Sequence, residues 1–275
     1  MRKLWFLIPI LVAGYVLGNV WLNQSFCITR YTVTSGKIGE GFKGVLIADL
    51  HDTEYGEDNE KLLEAIRNED PDVILLAGDI VSNTTHEYSE LLLLLKNLGM
   101  IAPTYYSFGN HEYGLDLSGR FTCLEDIQNT EGVKLLRYGI DDTVIKGNKV
   151  RIGGMSVDMS GWEKHGKRFF ELFEDTDDFF ILMSHYPWLV PEYYPETTVD
   201  VVLSGHAHGG QVHLWGDVGL FAPGKGWFAN LTSGIHDING TTEIVTRGLG
   251  DHTIVPRINN QPELVVIDFV PEKGD

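Results

Sequence analysis

The residues of this chain best suited to chemistry stand where apolar runs stop. Val199 to Leu203 is unbroken apolar sequence apart from Asp200, and Ser204-Gly205-His206-Ala207-His208-Gly209-Gly210-Gln211 follows directly. Two imidazoles one residue apart, on a turn of small residues, have the makings of metal ligands. The same placement recurs. Val45 to Ala48 runs into Asp49-Leu50-His51, where a carboxylate and an imidazole two residues apart leave a strand end in one direction. Val73 to Ala77 stops at Gly78-Asp79, Thr104 to Phe108 at Gly109-Asn110-His111-Glu112, and Phe179 to Met183 at Ser184-His185. Singly, each motif reads as ordinary loop polarity. Their common position does not, because chance would not keep choosing ligand types at carboxyl ends.

Asn110 offers a neutral amide oxygen to a metal, and His111 can give or take a proton near neutral pH. Asp49, His51, Asp79, Asn110, His185, His206 and His208 make seven nitrogen or oxygen donors. That exceeds what one zinc or iron ion needs, so two divalent cations are implied, with one carboxylate shared between them. The set holds no thiolate, which suits manganese, iron or zinc rather than copper(I) or an iron–sulfur cluster.

For these groups to meet, the apolar runs must be buried strands with their carboxyl ends side by side, where open α/β sheets place ligands. Helical spacing between them supplies the crossovers: Leu62, Leu63 and Ile66 within 59–68, the five leucines 91–95 within 87–98, and further helices near 121–129 and 162–173. Two strands, 142–145 and 149–155, flank a turn at Lys146-Gly147-Asn148. His165, His213 and His236 read as helix, sheet or surface histidines.

The order Asp49-x-His51, Gly78-Asp79, Gly109-Asn110-His111-Glu112, His185, Gly205-His206-x-His208 resembles the calcineurin-like metallophosphoesterase superfamily. Gly209-Gly210-Gln211, Ala222-Pro223-Gly224, Arg247-Gly248-Leu249-Gly250 and Pro262-Glu263-Leu264 are similar to a bacterial membrane-associated branch of it. The resemblance covers about 44–270 and implies a four-layer α/β/β/α sandwich. It implies one metal on Asp49, His51, Asp79 and His208, and another on Asp79, Asn110, His185 and His206, with Asp79 bridging. It also implies that His111 faces the substrate as the catalytic acid, that Asn110 shares its amide with the substrate, and that a metal-activated hydroxide attacks phosphorus in line. Ala48 and Ala207 depart from the serine and threonine often found there, and neither removes a ligand.

The bulk composition sets bounds. A net charge of −18 over 275 residues lacks the basic footprint of a general nucleic-acid binder. It does not exclude a phosphate substrate, since bound cations reverse the local field. Cys27 and Cys123 are too few for a disulfide framework, although one bridge could form. Leu4 to Leu22 carries no formal charge and follows Arg2 and Lys3, which predicts an uncleaved single-pass anchor at 1–22, a polar tether at 23–43 with an extended piece at 28–33, and a catalytic domain at 44–270. The two leading basic residues place that domain on the extracytoplasmic side of the cell membrane. A site held at a bilayer suits a lipid-linked phosphate or pyrophosphate, with Trp162, Trp188, Trp215, Trp227 and Phe228 as an apolar entrance. Arg247 and Arg257 are candidates for a second phosphate. The rival reading is a non-catalytic metal-binding scaffold or interaction protein on the same fold. His111 argues against it, because a scaffold has little use for an unliganded histidine beside the metals.

Overall fold

The structure, a computed structural model, describes residues 7–156, 162–213, 219–251 and 255–272. Its first sheet grows from β2 (Phe42–Ile47), β3 (Val73–Ala77), β4 (Thr104–Ser107) and the short β5 (Val133–Leu135), all parallel. On its other side β14 (Glu263–Pro271) runs antiparallel to β2, and β1 (Cys27–Ser35) lies parallel to β14 as the edge. The second sheet is parallel through β7 (Asn148–Met155), β8 (Phe179–Met183), β9 (Val201–Ser204) and β13 (Thr241–Val245). Antiparallel β6 (Tyr138–Ile145) and β12 (Gly234–Ile238) close its edges.

Alternation along the strands builds the layers. In β2 and β3, Val45, Ile47, Ile74 and Leu76 face α2 (Glu60–Glu69) and α3 (Ser89–Ile101), while Leu46, Val73, Leu75 and Ala77 face the second sheet. In β8, Phe179, Ile181 and Met183 return that contact, while Phe180 and Leu182 pack under α6 (Trp162–Phe173) and α7 (Leu189–Tyr193). The result is the α/β/β/α sandwich that the resemblance implies. Two shorter helices follow β4: α4 (Asn110–Leu117) and α5 (Leu124–Gln128).

Two N-terminal expectations meet the structure differently. The stretch expected to be a tether with an extended piece at 28–33 contains β1, which pairs with β14 over nine residues. Its polar, half-exposed alternation of threonines with Arg30, Tyr31 and Val33 suits an edge strand, and the sequence carries no sign of its pairing with β14. The apolar segment before it forms a 16-residue helix, Leu7–Leu22, here called α1. Residues 1–6 of the expected anchor lie outside the described residues. Among the described residues no helix is long and apolar enough to cross a membrane. Cys27 and Cys123 are not bridged.

Candidate metal centre

Parallel order brings the carboxyl ends of β2, β3 and β4 to one edge, and backbone bonds lock them together. Asp49 N–H donates to the Gly78 carbonyl (3.0 Å), and His51 N–H to that of Asp79 (3.1 Å). In the second sheet Gly205 N–H donates to the His185 carbonyl (3.0 Å). The sheets then face each other tip to tip: the His206 N–H lies 2.9 and 3.1 Å from the two carboxylate oxygens of Asp49. Gly205 permits that approach, since a Cβ there would sit 2.3 Å from Asp49 Oδ2. Gly109 does the same beneath Asp79, where a Cβ would meet Oδ1 at 2.2 Å.

Ligand types from the five strand ends converge. Asp49, His51 and His208 form one group whose donor atoms lie within 4.8 Å of one another, and Asp79, His185 and His206 form a second. His51, Asp79 and His111 form a third, between them. Asp79 Oδ2 is central, 3.1 Å from His185 Nε2 and 3.9 Å from both His51 Nε2 and His111 Nε2. Asp49 Oδ1 lies 3.7 Å from His208 Nε2 and 3.8 Å from His51 Nε2. Asn110 Oδ1 is buried without a hydrogen-bond partner among the described residues, as suits an oxygen reserved for a cation. Two buried carboxylates, four convergent imidazoles and this orphaned oxygen fit divalent metals bound through N and O donors.

The backbone is bent to achieve this. Asp49, His51, Asp79, His206 and His208 all have φ between 47° and 63°, in the left-handed region that non-glycine residues avoid. Burial would raise the carboxyl of Asp79, but the facing His185, with His51 and His111 beyond it, holds it well below the usual range. Burial would likewise lower His185, yet the two carboxylates raise it to about 10. Asp49 is driven the other way: burial pushes its carboxyl up to about 7, against the pull of His185.

Second contacts assign the imidazoles different faces. His185 Nδ1–H donates to the Ala77 carbonyl (2.8 Å), which leaves the Nε2 lone pair to the cluster. His111 is the reverse: its Nδ1 accepts the Asn83 N–H (2.9 Å), so neutral His111 presents Nε2–H to the site. One histidine is set to bind a cation, the other to donate.

Several contributors carry no sequence signal of their role. Glu112, buried at the start of α4, accepts from the N–H groups of Asp79, Ile80, Val81 and Gly109 and from the Tyr106 hydroxyl. It thereby clamps the Asp79 loop to the Asn110 loop. Arg257 is fully buried, with Nη2 2.5 Å from the Gly250 carbonyl and 3.1 Å from His208 Nδ1. It lies beside a metal-ligand type rather than open to a second phosphate. Asn260 Nδ2–H donates to the His208 carbonyl (2.7 Å). Arg247 is paired with Glu263 at 2.7 Å. Of the aromatic residues expected at an entrance, Trp188 is buried with its ring 5.5 Å from that of His206, whereas Trp227 and Phe228 are exposed. The Trp162 side chain and Trp215 lie outside the described residues.

An α/β/β/α sandwich whose strand ends gather carboxylates and imidazoles defines a metal-dependent hydrolase. The profile of the calcineurin-like phosphoesterase family matches residues 42–210, and the chain belongs to that family. It is a metal-dependent phosphoesterase. An uncharacterized metallophosphoesterase of Bacillus subtilis, YkuE, is 29% identical over 86% of this chain and 83% of its own length. An Aquifex aeolicus metallophosphoesterase is 27% identical over 87% of this chain and 90% of its own. A Helicobacter pylori relative, 24% identical, is longer, and the match covers 62% of it. Among solved structures, TT1561 of Thermus thermophilus shares the fold, with a TM-score of 0.51 and 14% identity over 76% of this chain and 90% of that one.

Proposed function

We propose that the protein hydrolyses a phosphate ester or pyrophosphate bond at a centre of two divalent cations. Asp49, His51, Asp79 and His208 would hold one cation, and Asp79, Asn110, His185 and His206 the other. Bound cations of this kind supply Lewis acidity and acidify a water at neutral pH. The chain's own residues do the rest. Asp79 and Asp49 would supply the carboxylates of the centre, and Glu112 holds the Asp79 and Asn110 loops in register. Asn110 lends its amide to cation and substrate alike. His111 is the catalytic residue, donating a hydrogen bond from Nε2 to the phosphoryl or leaving-group oxygen, a role worth about 10²–10³-fold for one such donor.

The observation that carries this reading is the His111 hydrogen bond from Asn83 N–H, which holds its Nε2–H toward Asp79. A scaffold that merely stored metal would not need a donor-oriented imidazole there. The test is turnover of phosphomonoesters, phosphodiesters and lipid pyrophosphates by protein reconstituted with manganese, iron or zinc, with Asp79→Asn alongside. We expect Asp79→Asn to lose on the order of 10³-fold in kcat/KM, with fewer cations bound. Equal turnover by both proteins sinks the proposal.

The N-terminal segment is assigned to a bilayer, with the catalytic domain on the extracytoplasmic side. Support comes from α1, whose Ile10, Leu11, Leu17 and Trp21 are each at least 66% exposed, more apolar surface than water tolerates without a partner. A lipid-linked phosphate would then be within reach. Membrane fractionation and protease accessibility in intact cells check both points, and release of the intact chain by salt alone contradicts them.

A further inference from the structure

Beside the metal centre lies a second, chemically unlike recess. It encloses about 330 Å³, within the size range of ligand pockets, and runs between three backbone segments. One is Gly210 to Val212, which leaves His208 directly. Another is a small hairpin of β10 (Phe221–Ala222) and β11 (Gly226–Trp227), and the third is the strap at Val255. Backbone bonds fix the walls to one another: Leu220 N–H donates to the Val212 carbonyl (2.9 Å), and His213 N–H to that of Ile258 (2.9 Å).

Among the described residues the lining carries no charged side chain. Its polar side chain, Gln211, is engaged by Asp251 at 2.9 Å and by the Val255 carbonyl. Val212, Leu220 and Pro223 stand with Phe221, Trp227 and Val255, the last three 43%, 68% and 53% exposed. The Phe221 and Trp227 rings meet edge to face at 5.5 Å. Such a surface has nothing to offer a headgroup or a peptide backbone, and it favours hydrocarbon.

Position selects the occupant. The chain leaving His208, a member of the metal-ligand group, becomes the floor of the recess from Gly210 onward. The far wall continues into the strap on which α1 sits, where Asn259 N–H donates to Asn19 Oδ1 (2.8 Å) and Asn23 Nδ2–H to the Arg257 carbonyl (2.9 Å). The geometry points to a subsite for the alkyl or acyl chain of a phosphate-ester amphiphile, lying between the hydrolytic centre and the apolar N-terminal helix. This rests on the proposed phosphoesterase reading and narrows its substrate to esters bearing a long hydrocarbon group.

The test compares ethyl para-nitrophenyl phosphate with decyl para-nitrophenyl phosphate, the latter below its micelle-forming concentration, on manganese-loaded full-length protein. Binding of dansylaminoundecanoic acid to the metal-free protein gives a readout independent of turnover. Trp227→Ala and Val255→Glu change exposed side chains, and circular dichroism checks their folding. The decyl ester should be favoured in kcat/KM by roughly 30-fold or more. That preference should fall at least about tenfold in Val255→Glu, with dansyl-probe binding weakened in parallel. Equal use of both esters, or probe binding that neither substitution changes, overturns the subsite. So does concentration-dependent dimerisation abolished by Val255→Glu without probe binding, which would make the occupant a second copy of the chain. If neither these esters nor the phosphomonoesters and lipid pyrophosphates are hydrolysed while the probe binds and Val255→Glu weakens it, the proposed hydrolysis fails and the apolar subsite stands.

Discussion

The two sheets contribute unequal chemistry to their shared edge. The first supplies both carboxylates, Asp49 and Asp79, with His51, Asn110 and His111. The second supplies imidazoles alone: His185, His206 and His208. Neither half is a site by itself. The first would bury two carboxylates with too little positive charge against them, a costly arrangement. The second would hold three imidazoles with no anion to draw a cation in. Brought together, Asp79 stands 3.1 Å from His185 and Asp49 takes the His206 N–H at 2.9 Å, so each half neutralises the other. The centre is therefore a property of the inter-sheet contact.

The sharpest way to break this comparison is to exchange roles across it. His185→Gln removes a ligand from the imidazole half, whereas His111→Gln removes the donor from the carboxylate half and leaves the ligand set intact. Both should lower kcat by about 10²–10⁴-fold, but for different reasons. Metal analysis separates them: the His185 variant should bind fewer cations, and the His111 variant should keep its full complement. A His111 variant that loses metal would make that residue a ligand and undo the tautomer argument.

A second prediction loosens the contact itself. Phe179 is fully buried between the sheets, its ring 5.6 Å from that of Phe269 and 6.2 Å from that of Phe42. Phe179→Ala should cost about 3–5 kcal/mol of stability in denaturant titration. Because the ligands come from both sheets, manganese affinity should weaken with it, although no ligand has changed. Undiminished affinity in a clearly destabilised variant would mean that the strand tips hold their geometry without the core behind them.

How much of this was legible in the sequence follows from the same division. Val73–Ala77 and Phe179–Met183 announce themselves because strands buried on both faces are apolar throughout, and ligand types after them mark the site. The extended piece at 28–33 was legible, but its place at the sheet edge was not, because its side chains are largely half-exposed or polar. The left-handed backbone at Asp49, Asp79 and His206 was invisible, since no glycine occupies those positions to betray it. Glu112 showed only as a polar residue after a glycine, because its role depends on N–H groups 31 to 33 residues away in the chain. Arg257 suggested an anion site, and only the fold reveals it sealed beside His208.

The smallest predicted effect concerns what joins the imidazole half together. Ser204 Oγ, at the tip of β9, lies 2.6 Å from the Ser184 carbonyl and 2.5 Å from Glu243 Oε1. The carbonyl can only accept, so it takes the serine hydrogen, and the second short contact then needs a proton on Glu243. Burial supplies the reason: it drives that carboxyl well above its ordinary value, against the lesser pull of Ser204. A raised folded-state value means the contribution to stability is whole below the unfolded value near 4.5 and drains away as pH climbs toward the folded one. The slope is up to about 1.4 kcal/mol per pH unit. Glu243→Gln keeps a donor toward Ser204 Oγ and cannot ionise, so its unfolding free energy should lack this component. Denaturant titrations of both proteins at several values between pH 5 and 9 should diverge, the wild type losing ground as pH rises. Parallel curves would mean that Glu243 is ionised in the folded protein, and that Ser204 gives its hydrogen to the carboxylate instead of tying β9 to the residue before His185.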